Sequence, residues 1–258
     1  MAISLASLNR GIDRKPPRII IMGVQGIGKS TFGADAEKPV FVLTEDGKGK
    51  IETESFPLAK TLDDVMESLG VLAQEEHAFK TVVVDSLDWL EPLIWAKVAA
   101  DQKVKNLEDI GYGKGYVFAM DYWREYLDAL NWLRDNKGMT IIQTAHSEIK
   151  KYQNPETDPY DRYEIKLHKS AAGKVLEHAD IVLFANYRTG ITKQDVGFKK
   201  VRTRAVGSGE RVLYTEERPT HLAKNRYGLP FEIPFTRDGT TWATIAENVP
   251  FYSAPKAE

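Results

Sequence analysis

The chain has 258 residues, 42% of them hydrophobic and 28% charged, with a formal net charge of −2 and no cysteine. That is enough apolar material for a sizeable core, and it excludes disulfides and thiolate metal sites. A pI near 6.3 excludes a global basic field, so any nucleic-acid site has to come from a local patch.

Met1 to Pro17 carry Ser, Asn, Gly, Asp and two prolines, and read as a flexible arm (1–17) ahead of a domain spanning 18–249. With no apolar run there long enough for a signal peptide or a membrane span, a cytoplasmic protein is expected. Ile19 to Met22 form an apolar run that reads as a buried strand. Gly23-Val24-Gln25-Gly26-Ile27-Gly28-Lys29-Ser30-Thr31 follows at once, with the spacing of a Walker A phosphate-binding loop. Glycines at 23, 26 and 28 let successive N–H groups curl inward, and the next helix adds its positive end, which makes a cradle for a triphosphate. The motif therefore asks for ATP and Mg²⁺. Lys29 is expected along the β- and γ-phosphates, the Ser30 hydroxyl on Mg²⁺, and Thr31 at the α-phosphate. A glycine-rich turn without a ligand would not need the strand, the spacing and the Lys-Ser pair together.

The helix after the loop is predicted to be short, because Gly33 weakens it and Pro39 ends it. Pro39 to Leu43 is a second strand, closed by Thr44-Glu45-Asp46-Gly47. Thr61 to Ala73 spaces Leu62, Val65, Met66, Leu69 and Leu72 as a helix, with Thr61 as its N-cap. Thr81 to Val84 is an unbroken β-branched run ending in Asp85, as expected of a strand buried on both faces of a parallel sheet. Asp85 then stands in the Walker B position, holding Mg²⁺ through water opposite Ser30; a strand-end Asp capping the next helix is the plainer alternative.

Leu90 to Ala100 and Tyr116 to Arg134 read as helices, the second with Met120, Trp123, Leu127, Leu130 and Leu133 on one core-facing stripe. Between them, Lys103 to Tyr116 is predicted to be a flexible loop. Met139 to His146 is another buried strand, and Ser147 to Lys169 reads as a polar loop of a length that is often functional. Ala179 to Ala185 restores a strand. Phe198 to Arg204 and Arg211 to Thr215 are expected to pair around Gly207-Ser208-Gly209, and residues 250–258 to form a disordered tail.

Strands and helices alternate, which predicts an α/β fold: a mainly parallel central sheet with helices on both faces, a C-terminal β-hairpin extension, and nucleotide at the carboxyl ends of the strands. Ser86 follows Asp85 where many P-loop machines place the acid that activates water. Glu45 is the candidate base instead, if its strand neighbours the Walker B strand; a surface acid in a turn is the alternative.

Val84-Asp85-Ser86, the acid at Glu45 and the segment Ala223-Lys224-Asn225-Arg226-Tyr227-Gly228-Leu229-Pro230 together resemble the RecA superfamily, and within it the phage Sak-four group. These are short RecA-like ATPases, carried by bacteriophages, that bind single-stranded DNA and assist annealing and recombination. The similarity runs from about Arg18 to Phe235 and leaves out the separate N-terminal and C-terminal domains of full-length RecA. It implies a RecA-like P-loop NTPase core and a DNA-stimulated ATPase. It also implies single-stranded DNA as a partner, assembly into a filament or ring with nucleotide at subunit interfaces, and a single-strand-binding protein as an accessory.

By the same resemblance His146 is the polar sensor of the γ-phosphate, Ser147 to Lys169 is the DNA loop, and Lys224 and Arg226 reach a neighbouring subunit's nucleotide. In that loop Lys150, Lys151, Arg162, Lys166 and Lys169 nearly balance Glu156, Asp158, Asp161 and Glu164. Lys150-Lys151-Tyr152 offers an aromatic-plus-cation platform for a single strand. Lys200, Arg202 and Arg204 alternate along one strand and so share a face, a second candidate for phosphate contacts. A solvated loop and the outer face of a hairpin are the plain alternatives. Two other functions stay open: a small-molecule P-loop kinase whose lid is the segment after His146, and a nucleotide-dependent scaffold that does not hydrolyse.

Overall fold

The apolar run ahead of the phosphate loop becomes β1 (Arg18–Gly23), with Ile19 to Met22 fully buried. A strand without a polar face has to be covered on both sides. The computed structural model describes residues 8, 11–12, 14–47, 49–195 and 201–253, with backbone alone at 189, 191–195 and 201–208. It sets β1 among β2 (Pro39–Leu43), β3 (Glu54–Ser55), β4 (Thr81–Asp85), β5 (Thr140–Tyr152) and β7 (Ile181–Asp195), all parallel, in the order β7-β1-β5-β4-β2-β3. Antiparallel strands extend the β7 edge: β8 (Val201–Tyr214) pairs with β7, and β10 (Glu232–Pro234) with β8. Two short returns complete the sheet, β9 (Lys224–Asn225) on β7 and β6 (Tyr160–Ile165) on the far half of β5.

Among the described residues six helices cover the two faces: α1 (Lys29–Ala34), α2 (Leu62–Gln74), α3 (Leu87–Asp101), α4 (Lys114–Asn136), α5 (Lys169–His178) and α6 (Thr240–Asn248). Alternate strand residues part between them. Ile20, Met22, Val82, Val84 and Ile141 pack with Leu69 of α2, Leu90 of α3 and Trp123 and Leu127 of α4. Ile19, Ile21, Val83 and Ile142 pack on the other side with Phe32 of α1 and Trp242 and Ile245 of α6. Each such side chain contributes about 1.5–3 kcal/mol on full burial, so these layers hold the strand ends in register. Thr61 caps α2 as its sequence predicts, its hydroxyl accepting from the Asp64 N–H at 3.1 Å while Asp64 accepts from the Thr61 N–H at 2.9 Å. The stripe on α4 faces the core, with Met120 half-buried at its margin.

Several local expectations give way. Ser147 to Lys169 is not a loop: β5 runs on to Tyr152, turns, and returns as β6, with Ser147 opposite Ile165 and Tyr152 opposite Tyr160. Charged and tyrosine residues on both sides of this ribbon masked its two-residue period. The glycines at 207 and 209 do not make a turn either. They lie inside β8 opposite an irregularity at Tyr187/Thr189, consistent with glycine marking a bulge, and residues 196–200 between β7 and β8 are outside the described residues. Within Lys103 to Tyr116, the segment Leu107–Ile110 forms a 3₁₀ turn capped by Asn106 and Asp109, and α4 begins at Lys114. Helix α3 starts three residues earlier than Leu90, directly after Ser86.

The ends of the chain differ from expectation as well. Pro16 and Pro17 are buried, and the Pro16 carbonyl accepts from Arg134 Nε at 2.6 Å; most of residues 1–10 lie outside the described residues. The predicted tail at 250–258 contains an anchor. Tyr252 bonds to Thr140 and packs edge-on against Trp242, because α6, not foreseen, delivers it to the sheet; residues 254–258 are outside the described residues.

Candidate nucleotide site

The turn after β1 has to pass close to β7. A Cβ at Gly23 would lie 2.4 Å from the Ala185 carbonyl oxygen, so only glycine fits there. Gly28, at φ +120°, then turns the chain into α1, a conformation that side chains disfavour. The loop ends with Lys29 buried, its Nζ donating to the carbonyls of Gly23 (3.3 Å) and Val24 (3.2 Å). Burial lowers its pKa, against the opposing pull of Asp85, Asp88 and Glu45. Two weak carbonyl bonds leave this ammonium ready to exchange them for phosphate oxygens.

Ser30 Oγ donates to Asp85 Oδ2 at 2.6 Å, and Thr144, from β5 between the two strands, donates to Asp85 Oδ1. A hydroxyl and a carboxylate side by side are both hard oxygen donors, so Ser30 and Asp85 are the residues that would hold a Mg²⁺ ion. Strand β2 pairs with β4, Leu43 opposite Asp85, so the condition set for Glu45 is met in the geometry. Thr44 locks the two strand ends together: its hydroxyl donates to the Ser86 carbonyl at 2.7 Å and accepts from the Ser86 N–H at 2.8 Å. Glu45, the next residue, lines the same cavity as the phosphate loop. Burial and then the Asp85 charge raise its pKa, which makes it a stronger proton acceptor than an ordinary carboxylate.

The cavity measures about 660 Å³ and is lined by Gln25, Gly26, Gly28 to Thr31, Thr44 to Gly47, Ile51, Leu58, Trp89, His146 and Arg237. That volume is in the range of small-molecule sites. His146 reaches it from the middle of β5, with its backbone N–H (2.9 Å) and ring Nδ1 (2.8 Å) both on the Asp88 carboxylate. Val24 and Ile27 belong to the loop without facing the cavity.

Other predicted site residues lie elsewhere. Arg162 is only 3% exposed, stacked over Tyr152 and paired with Glu217 at 2.8 Å, so it is not the free cation expected of a DNA loop. Its position on the covered face of β6 is the reason. Lys150 bonds to the Leu167 carbonyl and Glu148, whereas Lys151, Lys166 and Lys169 are exposed. Arg202 and Arg204 are two apart on β8, and Lys200 is outside the described residues.

Lys224 and Arg226 stand at the opposite end of the sheet, because β9 pairs with Ile181 and Val182, which lie beside Ile19 and Ile20 at the start of β1. Lys224 Nζ caps the end of α5 through the Leu176, Glu177 and Ala179 carbonyls, and Arg226 pairs with Asp180 at 3.2 Å. Within one chain, neither touches the cavity.

Sequence reasoning missed Asp88, whose only signal was an acid in the first turn of a helix. It also missed Arg237 and Arg211, which donate to the Gly26 (3.0 Å) and Ile27 (3.3 Å) carbonyls of the loop. Nothing local foretold that these late arginines reach the phosphate loop.

A phosphate loop and a magnesium-type carboxylate on the carboxyl edge of a parallel sheet, with one strand between them, define a P-loop ATPase core. The chain belongs to the AAA domain family, which matches it over residues 15–227. Among solved structures it is similar to the RadB recombinase, at 15% identity and a TM-score of 0.47, over 87% of this chain and 90% of that one. No curated protein matches the sequence. Among the described residues no helix is long and apolar enough to cross a membrane.

Proposed function

We propose that this protein binds and hydrolyses ATP, binds single-stranded DNA, and acts in recombination or strand annealing of the phage type. The observation that carries the reading is the shared position of His146: it lines the cavity with Lys29, Ser30 and Glu45, and it is also the root of the β5–β6 hairpin. In this mechanism Lys29 and the loop amides hold the β- and γ-phosphates, and Glu45 orients water and takes its proton. Mg²⁺, when bound through Ser30 and Asp85, would supply neutralisation of phosphate charge. His146 registers the terminal phosphate at the foot of the hairpin. Lys151, Lys166 and Lys169 supply phosphate contacts on the hairpin and its flank, Lys150 and Tyr152 add to them, and the β8 face of Arg202 and Arg204 is a second surface.

Assembly belongs to the same proposal. Arg226 is half-exposed despite its bond to Asp180, and in a filament or ring it reaches a neighbouring subunit's nucleotide alongside Lys224. Mixing Lys29→Ala with Arg226→Ala subunits should then restore activity that neither has alone; co-assembled mixtures that stay inactive would sink the interface contact. A single-strand-binding protein is the accessory partner proposed.

The kinase alternative has one observation behind it, the two arginines on the phosphate loop, but both spend a donor on loop carbonyls. Measuring ATP turnover with single-stranded DNA, with small phosphate acceptors, and with neither separates the readings. DNA stimulation is expected. Stimulation by an acceptor alone would favour the kinase, and turnover in none of the three would favour a scaffold.

A further inference from the structure

The hairpin beside the cavity is fixed at both of its roots by one turn of one helix. At the first root, Asp88 of α3 accepts the His146 N–H and ring nitrogen, as described above. At the second, Glu91 accepts the His168 N–H with both carboxylate oxygens, at 3.1 and 3.0 Å. Residues three apart on a helix lie on one face, so the two carboxylates stand one above the other. Between the roots lies only the hairpin, closed by the Lys166 N–H on the His146 carbonyl at 2.9 Å. The His168 ring is stacked on Tyr116 at 4.2 Å, which steadies the second root from the other side.

Glu91 is a costly choice for a simple tie. It is 5% exposed, and burial pushes its carboxyl up to about 7, with the His168 N–H and Lys150 pulling the other way. Capping the first turn of α5 is the plain role for it, since a carboxylate favours a helix N-terminus. That role alone does not call for the cap to come from the helix that also holds His146. Helix α3 follows Ser86, its N-cap residue, whose backbone is tied twice to Thr44, the neighbour of Glu45. Its first turn is thus joined to the Walker B strand end, the candidate base and the sensor, and farther along to the hairpin's return.

We propose that Asp88 and Glu91 are positioning residues that bind both roots of the β5–β6 hairpin to the helix beside the nucleotide, so that the hairpin answers to what occupies the cavity. The inference rests on the nucleotide reading above, and it names the residues that carry the coupling. A helix with two anchor points moves the hairpin as a body. One anchor would let it pivot. Networks of this kind change coupling between sites by about twofold to thirtyfold when a member is removed.

Hydrogen exchange of the full chain, with and without a non-hydrolysable ATP analogue and Mg²⁺, provides the test. In the wild type the analogue should slow exchange in the loop at 23–31 and change it in the hairpin at 147–165. Glu91→Ala should keep the loop response with analogue affinity within about threefold, and reduce the hairpin response by about fivefold or more. Glu91→Gln, which retains an acceptor for the His168 N–H, should restore that response. A merely structural cap predicts faster hairpin exchange in Glu91→Ala in both states, with the nucleotide effect intact, and that result overturns the proposal. If Glu91→Ala does not fold, Asp88→Ala, which removes the acceptor for the His146 N–H, carries the same test, losing the hairpin response while keeping the loop response. A wild-type loop that is protected while the hairpin stays indifferent refutes the coupling alone. No protection of the loop at all refutes the nucleotide reading, and the coupling with it.

Discussion

The two ends of the sheet hold charge in opposite ways. At the amino end, Asp180 is 3% exposed and saturated: it accepts from the Arg18 N–H (3.0 Å), Nε (3.1 Å) and Nη2 (2.9 Å), pairs with Arg226, and has Arg134 at 3.8 Å. Burial works against its charge, but the Arg18 bonds prevail and hold the carboxyl below the usual range. At the carboxyl end, Lys29 rests on two long carbonyl bonds, and burial raises the pKa of Glu45 within an open cavity. A cluster whose valences are filled from its own chain holds the fold together. A cluster with donors and charge to spare is built for a ligand.

The widest contrast should come from kinetics. Glu45→Gln is expected to bind nucleotide as the wild type does and to hydrolyse it about 10²–10⁴-fold more slowly, read from steady-state turnover. Unchanged turnover would reduce Glu45 to a turn residue.

The second contrast is in stability. Asp180→Ala strands Arg18 and Arg134 beside an empty place and should cost about 3–5 kcal/mol in denaturant unfolding. Lys29→Ala should leave unfolding unchanged or slightly improved, since burial disfavours the ammonium in the free protein. It should instead weaken Mg-ATP binding by about 10–100-fold. If Lys29→Ala unfolds the protein as Asp180→Ala does, the distinction between the two ends fails.

A smaller effect follows from pH. The folded-state pKa of Glu91 is raised from 4.5 to about 7, so the folded chain binds this proton more tightly than the unfolded one. Its stabilising contribution is complete below about pH 4.5 and is lost as pH rises through about 7. Glu91→Gln should therefore gain about 1–3 kcal/mol over the wild type at pH 8, and almost nothing at pH 4.5. Parallel stability curves for the two proteins would show that Glu91 is not held in this way.

Much of the carboxyl end was legible in the sequence because its local patterns agree with its tertiary roles. The phosphate loop needs its glycines and its Lys-Ser pair wherever it occurs. A strand buried on both faces reads as Thr81 to Val84 does, and the stripe on α4 has one helical period. The outer parts were not legible, for a shared physical reason. Beyond His146, β5 carries Glu148, Lys150 and Lys151, and its pairing energy lies in the backbone ladder with β6, which leaves no hydrophobic alternation to read. Helix α6 starts with two threonines and buries only Thr241, Trp242 and Ile245, a weak signal that tertiary packing on Phe32 strengthens. Asp88, Glu91, Arg211 and Arg237 gain their significance from contacts far along the chain, which spacing does not encode.

We propose that the nucleotide cavity and the hairpin form one device for a single strand. Its most direct test is ATP turnover titrated with single-stranded DNA, in the wild type and in a variant with Lys150, Lys151 and Tyr152 all changed to alanine. The wild type should be stimulated. The variant should keep the basal rate, lose the stimulation, and bind DNA with a salt dependence shallower by about 0.7 in log–log slope for each lost phosphate contact. Equal stimulation and equal slope in both proteins would contradict the account and shift DNA binding to the β8 face of Arg202 and Arg204.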